Sequence, residues 1–291
     1  MKLKAYLSLI RFDKPVGTLL LLWPTLDALF IASNGSPPLI VTLVFVLGVF
    51  LTRAAGCAIN DFADSNFDKR VKRTKNRPVA NGIISKIEAM LISIFLSLCA
   101  FGLAYQFLKI DTLWMSVPAL ILFMVYPFTK RFFAYPQFIL GIAFSFGILM
   151  AFIEIVGHIT NAGWLLFFAN LFWVFGYDTI YAMVDKVDDL KIGIKTSAIS
   201  LGDLVIKAVT ISYSLFIVLM IAVGIFHNFH DLYWVTIIIA ASLLGVQIKV
   251  LIERRESSYF NMFLLNNWIG AILFIGIVFS LHLGSYEITS F

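Results

Sequence analysis

Residues 39–77 read LIVTLVFVLGVFLTRAAGCAINDFADSNFDKRVKRTKNR. The first part, 39 to 59, is apolar except for Arg53, and its length matches the roughly twenty residues a helix needs to cross the hydrocarbon of a bilayer. It gives way to Asn60, Asp61, Asp64 and Asp68, and then to a basic run from Lys69 to Arg77. A helix apolar on every side is buried in a large core or in lipid. The charges that follow it mark the edge of that apolar medium.

The rest of the chain repeats the pattern. Of its 291 residues, 60% are hydrophobic and only 13% charged, and mean hydropathy is +0.94, beyond what a soluble core requires. Apolar runs fall at about 16 to 33, 39 to 59, 88 to 107, 112 to 128, 136 to 155, 163 to 183, 205 to 226, 232 to 251 and 262 to 282. This predicts an all-α polytopic membrane protein with about nine transmembrane helices in a single domain, 1–291. Cys57 and Cys99 both sit in apolar runs, which fits buried free thiols and neither a disulfide framework nor a zinc site. The basic start, MKLKAYLSLIRFDKPVG, leads into an apolar stretch without a small-residue cleavage site, so neither a signal peptide nor a transit peptide is expected.

Basic residues are distributed as the positive-inside rule requires. Lys2, Lys4, Arg11 and Lys14 precede the first span; Lys69 to Arg77 and Lys86 follow the second; Lys130 and Arg131 follow the fourth. Lys186, Lys191, Lys195 and Lys207 follow the sixth, and Lys249, Arg254 and Arg255 the eighth, while Lys109 alone falls on the other side. The amino terminus is therefore expected in the cytoplasm and the carboxyl terminus outside. The formal charge of +5 is accounted for by this orientation, and no nucleic-acid partner is expected.

Six of the 17 acidic residues are expected on two loops, after the second and sixth spans, hence on one face of the membrane. Asn60, Asp64 and Asp68 would form one stripe if that segment were helical; in DKVDD, Asp185, Asp188 and Asp189 stand at offsets 0, 3 and 4, with Asp178 before them. Carboxylates so close repel unless cations lie between them, and hard oxygen ligands favour magnesium, which also binds phosphate oxygens. Arg73, Arg77, Lys130 and Arg131 can take the remaining phosphate charge. Two solvated loops whose acids pair with local bases would look similar in sequence, but two such loops on one face favour a metal-bridged diphosphate site. Arg53, the one basic residue within a span, lies two helical turns deeper than Asn60 and reads as part of the same site in preference to a snorkelling arginine. Tyr126 and Tyr181, near span ends, read as interface anchors. Gly17, Gly56 and Gly141 read as points of close helix approach.

At these residues the chain resembles the UbiA superfamily of intramembrane prenyltransferases. RFDKPVGTLLLLWPT, RAAGCAINDFADSNFD with VKRTKNRPVANGIIS, and YDTIYAMVDKVDDLKIGIKTSA are similar to its 4-hydroxybenzoate branch, and the likeness covers residues 11 to 200. The resemblance implies helices around a central lipid-accessible cavity and a Mg2+-dependent transfer of a polyprenyl group from polyprenyl diphosphate to 4-hydroxybenzoate, early in ubiquinone biosynthesis. It implies metal binding by Asn60, Asp61, Asp64, Asp68, Asp185, Asp188 and Asp189, and diphosphate binding by Lys14, Arg73, Arg77, Lys130 and Arg131. Arg53 and Asn60 would bind the acceptor, and Asp64, Asp185 and Asp189 all stand open as the proton acceptor. A bacterial inner membrane is the setting it implies. Position 27 is Asp where an aromatic is expected, and position 196 is Thr in place of Ser. A carboxyl in mid-span must face a partner or a cavity, or be protonated.

Overall fold

The computed structural model describes residues 2–288, and side chains as far as residue 283. A short helix, α1 (Lys2–Leu9), precedes nine long ones: α2 (Val16–Ala32), α3 (Leu39–Asp68), α4 (Lys86–Phe107), α5 (Ile110–Thr129), α6 (Pro136–Val156), α7 (Asn161–Ile192), then, after the one-turn α8 (Ser197–Ser200), α9 (Val205–Phe226), α10 (Asp231–Ile252) and α11 (Tyr259–Ile288). Among the described residues eight helices are long and apolar enough to cross a membrane, and α2 is a ninth, shorter apolar helix of 17 residues. The chain is a multi-pass, all-α membrane protein, and the nine spans coincide with the nine apolar runs.

Local chemistry sets the helix ends. Ser85 and Glu88 form a reciprocal capping box at the start of α4, and Gly157 and Gly193 close α6 and α7 in the left-handed conformation. Length is what distinguishes α3 and α7. At 30 and 32 residues they extend about 45 Å or more, against about 30 Å of hydrocarbon. The aspartates that the sequence assigns to loops therefore stand on helix. Hydropathy falls after Ile59 and after Met183, but the backbone ladder continues through Asp68 and Ile192.

The main core lies between α2, α6, α7, α9, α10 and α11, and contains Leu29, Ile148, Val174, Phe216, Tyr233 and Ile277. Helices α4 and α5 present large apolar side chains outward, with Phe95 65% and Trp114 70% exposed, as lipid-facing surface requires. Between α2, α3, α4, α5 and α6 is a half-open apolar cavity of about 130 Å³, with Val49, Gly56, Ser97, Phe123 and Gly147 on its walls and the exposed Phe101 on its rim. It is the lipid-accessible cavity implied by the sequence, displaced toward one side of the bundle.

Candidate active site

The extended ends of α3 and α7 stand at one end of the bundle with the α3–α4 connection across them. That connection is held by charge. Arg73 donates through Nε to both carboxylate oxygens of Asp185 at 3.0 Å and through a second nitrogen to the Tyr181 hydroxyl, and the backbone N–H of Lys72 donates to Asp188 at 3.1 Å. Arg77 pairs with Asp68 at 2.9 Å and with Asp61 at 3.3 Å. Asp61 is fully enclosed and also receives Arg11 at 2.7 Å, which ties the segment between α1 and α2 to the same cluster. Just past α5, Lys130 reaches Asp64 at 3.0 Å and Asn60 at 3.4 Å.

Asp64, Asp68 and Asp61 are thus brought together with Lys130 and Arg77, and Asp185 with Arg73. Asp189, partly buried, lies within electrostatic reach of Asp185, Lys130, Arg73 and Asp64, so the two aspartate motifs face each other. Asp188 lies at the edge, 3.8 Å from Lys191. Burial alone would lower the proton affinity of Lys130, but Asp64 and the Tyr126 ring environment outweigh it and hold the ammonium above its ordinary range. Burial likewise opposes the charge of Arg73 and Arg77. Tyr181 and Asp185 for the first, and Asp61 and Asp68 for the second, more than offset it.

Two candidates stand apart. Lys14 is exposed and pairs with none of these acids. Arg131 donates to the Ala63 carbonyl at 2.9 Å and lies over the rings of Phe67 and Phe128.

Arg53 lies two turns below Asn60 on α3, about 10 Å toward the bilayer. It forms no ion pair or hydrogen bond among the described residues, and its Nε is buried without a partner. Its guanidinium rests on Gly17 of α2, where a Cβ would come within 2.6 Å of Nη2. Its charge acts on Tyr126 of α5 and on Tyr177 and Asp178 of α7. Lys130 and Arg73 also act on Asp178. An unpaired cation therefore lies beneath the ring of acid–base pairs, with a carboxyl and two phenols around it.

Sequence reading missed three things here. Tyr181 carries the Arg73 guanidinium 4.6 Å above its ring, and Tyr126 carries the Lys130 ammonium at 5.6 Å, so both belong to the site and not to an anchoring belt. Asp178, noted beside the second motif but given no role, precedes Asp185 by seven residues, two turns on the same face. Gly17 makes room for a side chain and not for a helix.

Donor chemistry fits magnesium in one particular way. Among the described residues no group of three or more His, Cys, Asp or Glu side chains is drawn together closely enough to hold an ion alone. The ion commonly uses one or two carboxylates, water and substrate phosphates, and oxygen donors on facing helices with bases beside them meet that requirement.

The UbiA prenyltransferase family matches residues 21–274. A 4-hydroxybenzoate octaprenyltransferase of Nitrosomonas europaea is 50% identical over 277 residues, which is 95% of this chain and 94% of that one. One from Paraburkholderia phytofirmans is 47% identical over 287 residues, 98% of this chain and 99% of its own. In structure, a UbiA homolog from Aeropyrum pernix K1 superposes with TM-score 0.79 at 24% identity, covering 90% of this chain and 98% of the other. An Archaeoglobus fulgidus homolog, solved bound to GPP and Mg2+, gives 0.71 at 20% identity over 95% and 99%. The chain belongs to the UbiA prenyltransferase family.

Proposed function

We propose that the chain, as one transferase domain over residues 1–291, moves a polyprenyl group from polyprenyl diphosphate to the ring carbon ortho to the hydroxyl of 4-hydroxybenzoate, an early step of ubiquinone biosynthesis. The observation that carries this reading is Arg53, an unpaired guanidinium directly beneath a ring of carboxylates and bases. A benzoate carboxylate is its natural counter-ion. The activity for which those relatives are named supports the same acceptor.

In this reading Arg73, Arg77 and Lys130 clamp the diphosphate oxygens, and Asn60, Asp61, Asp64, Asp68, Asp185, Asp188 and Asp189 supply the oxygen donors from which a Mg2+ site is drawn. Bound magnesium supplies positive charge to the departing diphosphate. The tail lies in the apolar cavity, whose wall includes Thr52, the neighbour of Arg53 in sequence, and Gly56, one turn from both Arg53 and Asn60. As the allylic carbon–oxygen bond breaks, Tyr126 and Tyr181 keep Lys130 and Arg73 in place beside the departing diphosphate. Arg53 and Asn60 hold the acceptor so that its ortho carbon meets that cation, and apolar walls exclude water that would capture it. The ring then loses a proton. Asp178, seated between Arg53 and Lys130, joins Asp64, Asp185 and Asp189 as a base in reach. The charge pattern supports a bacterial inner membrane with the site and amino terminus facing the cytoplasm.

The test is transfer from a polyprenyl diphosphate to labelled 4-hydroxybenzoate in membranes, with magnesium or EDTA. Wild type should form product only with magnesium, and Asp64→Ala and Asp185→Ala should abolish it. Arg53→Ala should raise the acceptor KM or lower turnover while donor binding persists. Donor binding with magnesium but no transfer to this acceptor would mean that another acceptor is the substrate.

A further inference from the structure

Asp27 takes no part in the chemistry above. It lies in mid-helix on α2, 6% exposed, and its Oδ1 has no hydrogen-bond partner. Across from it on α7, Asn170 is 3% exposed and its Oδ1 is also without a partner. Both residues line one small cavity, with room for about one water molecule, whose other walls include Ile148, Phe216 and Leu273.

The orientation of Asn170 is fixed by its neighbours. Ser145 gives its hydroxyl proton to the Gly141 carbonyl at 2.8 Å, so toward Asn170 it can only accept, and it accepts from Nδ2 at 2.9 Å. That leaves the amide oxygen as the acceptor without a partner, on a residue that lines the cavity. Other nearby donors are committed elsewhere: Trp173 Nε1 to Asn266 Oδ1 at 2.9 Å and the Tyr233 hydroxyl to the Met220 carbonyl at 2.6 Å. No Lys, Arg or His lines the cavity. Two buried acceptors thus border a shared space with no protein donor in its lining left to meet them, and a buried acceptor left unmet destabilises the fold.

We propose that Asp27 and Asn170 form a binding site for a single structural water that bridges α2 to α7, with Asp27 as the neutral acid. The water donates one hydrogen to Asp27 Oδ1 and the other to Asn170 Oδ1, and accepts the carboxyl proton of Asp27. That makes about three hydrogen bonds, the usual complement of a buried water. A neutral acid avoids an uncompensated charge in the middle of a span. A sodium ion would need several more oxygens than the two side chains offer. The bridge joins the helix that seats Arg53 to the helix that carries Asp178 and Asp185.

The purified full chain tests this with Asp27→Leu, Asn170→Leu and the double variant. Each single change strands the opposite acceptor, whereas the double change removes both, so the double variant should melt no lower than the weaker single; strictly additive losses would overturn the bridge. Infrared difference spectra of wild type against Asp27→Asn, which keeps the site polar and the fold intact, should contain a carboxylic acid carbonyl band that moves in D2O. A carboxylate band in its place, or a melting temperature of wild type that rises with sodium over potassium, would overturn the neutral-water assignment.

Discussion

Gly17 and Gly141 look alike in the sequence and do different work. At Gly17 an added Cβ meets first the tip of Arg53, a long side chain that can shift. Gly17→Ala should leave the melting temperature unchanged and raise the acceptor KM about threefold to tenfold, equivalent to about 1 kcal/mol. Steady-state kinetics with 4-hydroxybenzoate varied at saturating donor would check this, and an unchanged KM would dissociate Gly17 from Arg53. At Gly141 the added Cβ would come within 2.9 Å of the Leu171 carbonyl oxygen, and backbone cannot swing aside. Gly141→Val should therefore cost about 1 to 3 kcal/mol through strain between α6 and α7 and lower the melting temperature by several degrees. Arg53 was legible in the sequence, because a lone cation in an apolar span has few uses. The partners of Gly17 were not. A glycine records only that space is needed, and what fills the space is decided by a helix elsewhere in the chain. Tyr126 and Tyr181 were misread for a related reason: a tyrosine at a span end suits both a lipid headgroup and a guanidinium, and only the position of Arg73 and Lys130 decides between them.

At the level of elements, all nine spans were legible, since hydrocarbon thickness imposes a length that hydropathy reports directly. Where α3 and α7 end was not. The apolar signal stops at the edge of the hydrocarbon, but Asn60, Asp64 and Asp68 repeat at the spacing of one helical stripe and the ladder continues through them. This continuity has a mechanical meaning. Carboxylates on a rigid helix keep their separation, whereas those on a loop would splay under their own repulsion. A proline placed at Ala63, inside the extension of α3, would break that rigidity. Ala63→Pro should retain insertion and lose transfer, with product formation in membranes and the amount of inserted protein as paired measurements. Transfer at the wild-type rate would mean that the extension need not be helical.

Across the whole molecule, the acid–base ring draws on the α1–α2 segment, α3, the α3–α4 connection, α5 and α7. Because among the described residues no three acidic side chains converge closely enough to hold an ion alone, magnesium and diphosphate should bind together far better than either does separately. Thermal melting with Mg2+ alone, inorganic diphosphate alone and both should give a large upward shift only for the pair. A full shift with Mg2+ alone would mean that the protein closes a metal cage by itself. The half-open apolar cavity has a consequence for how rates must be measured. A tail that enters through a rim marked by Phe101 arrives from the lipid, so the encounter is two-dimensional and its frequency depends on the mole fraction of donor in the membrane, not on its amount per litre. Adding inert lipid or detergent at constant donor and enzyme would slow turnover by surface dilution alone, and adding water would not.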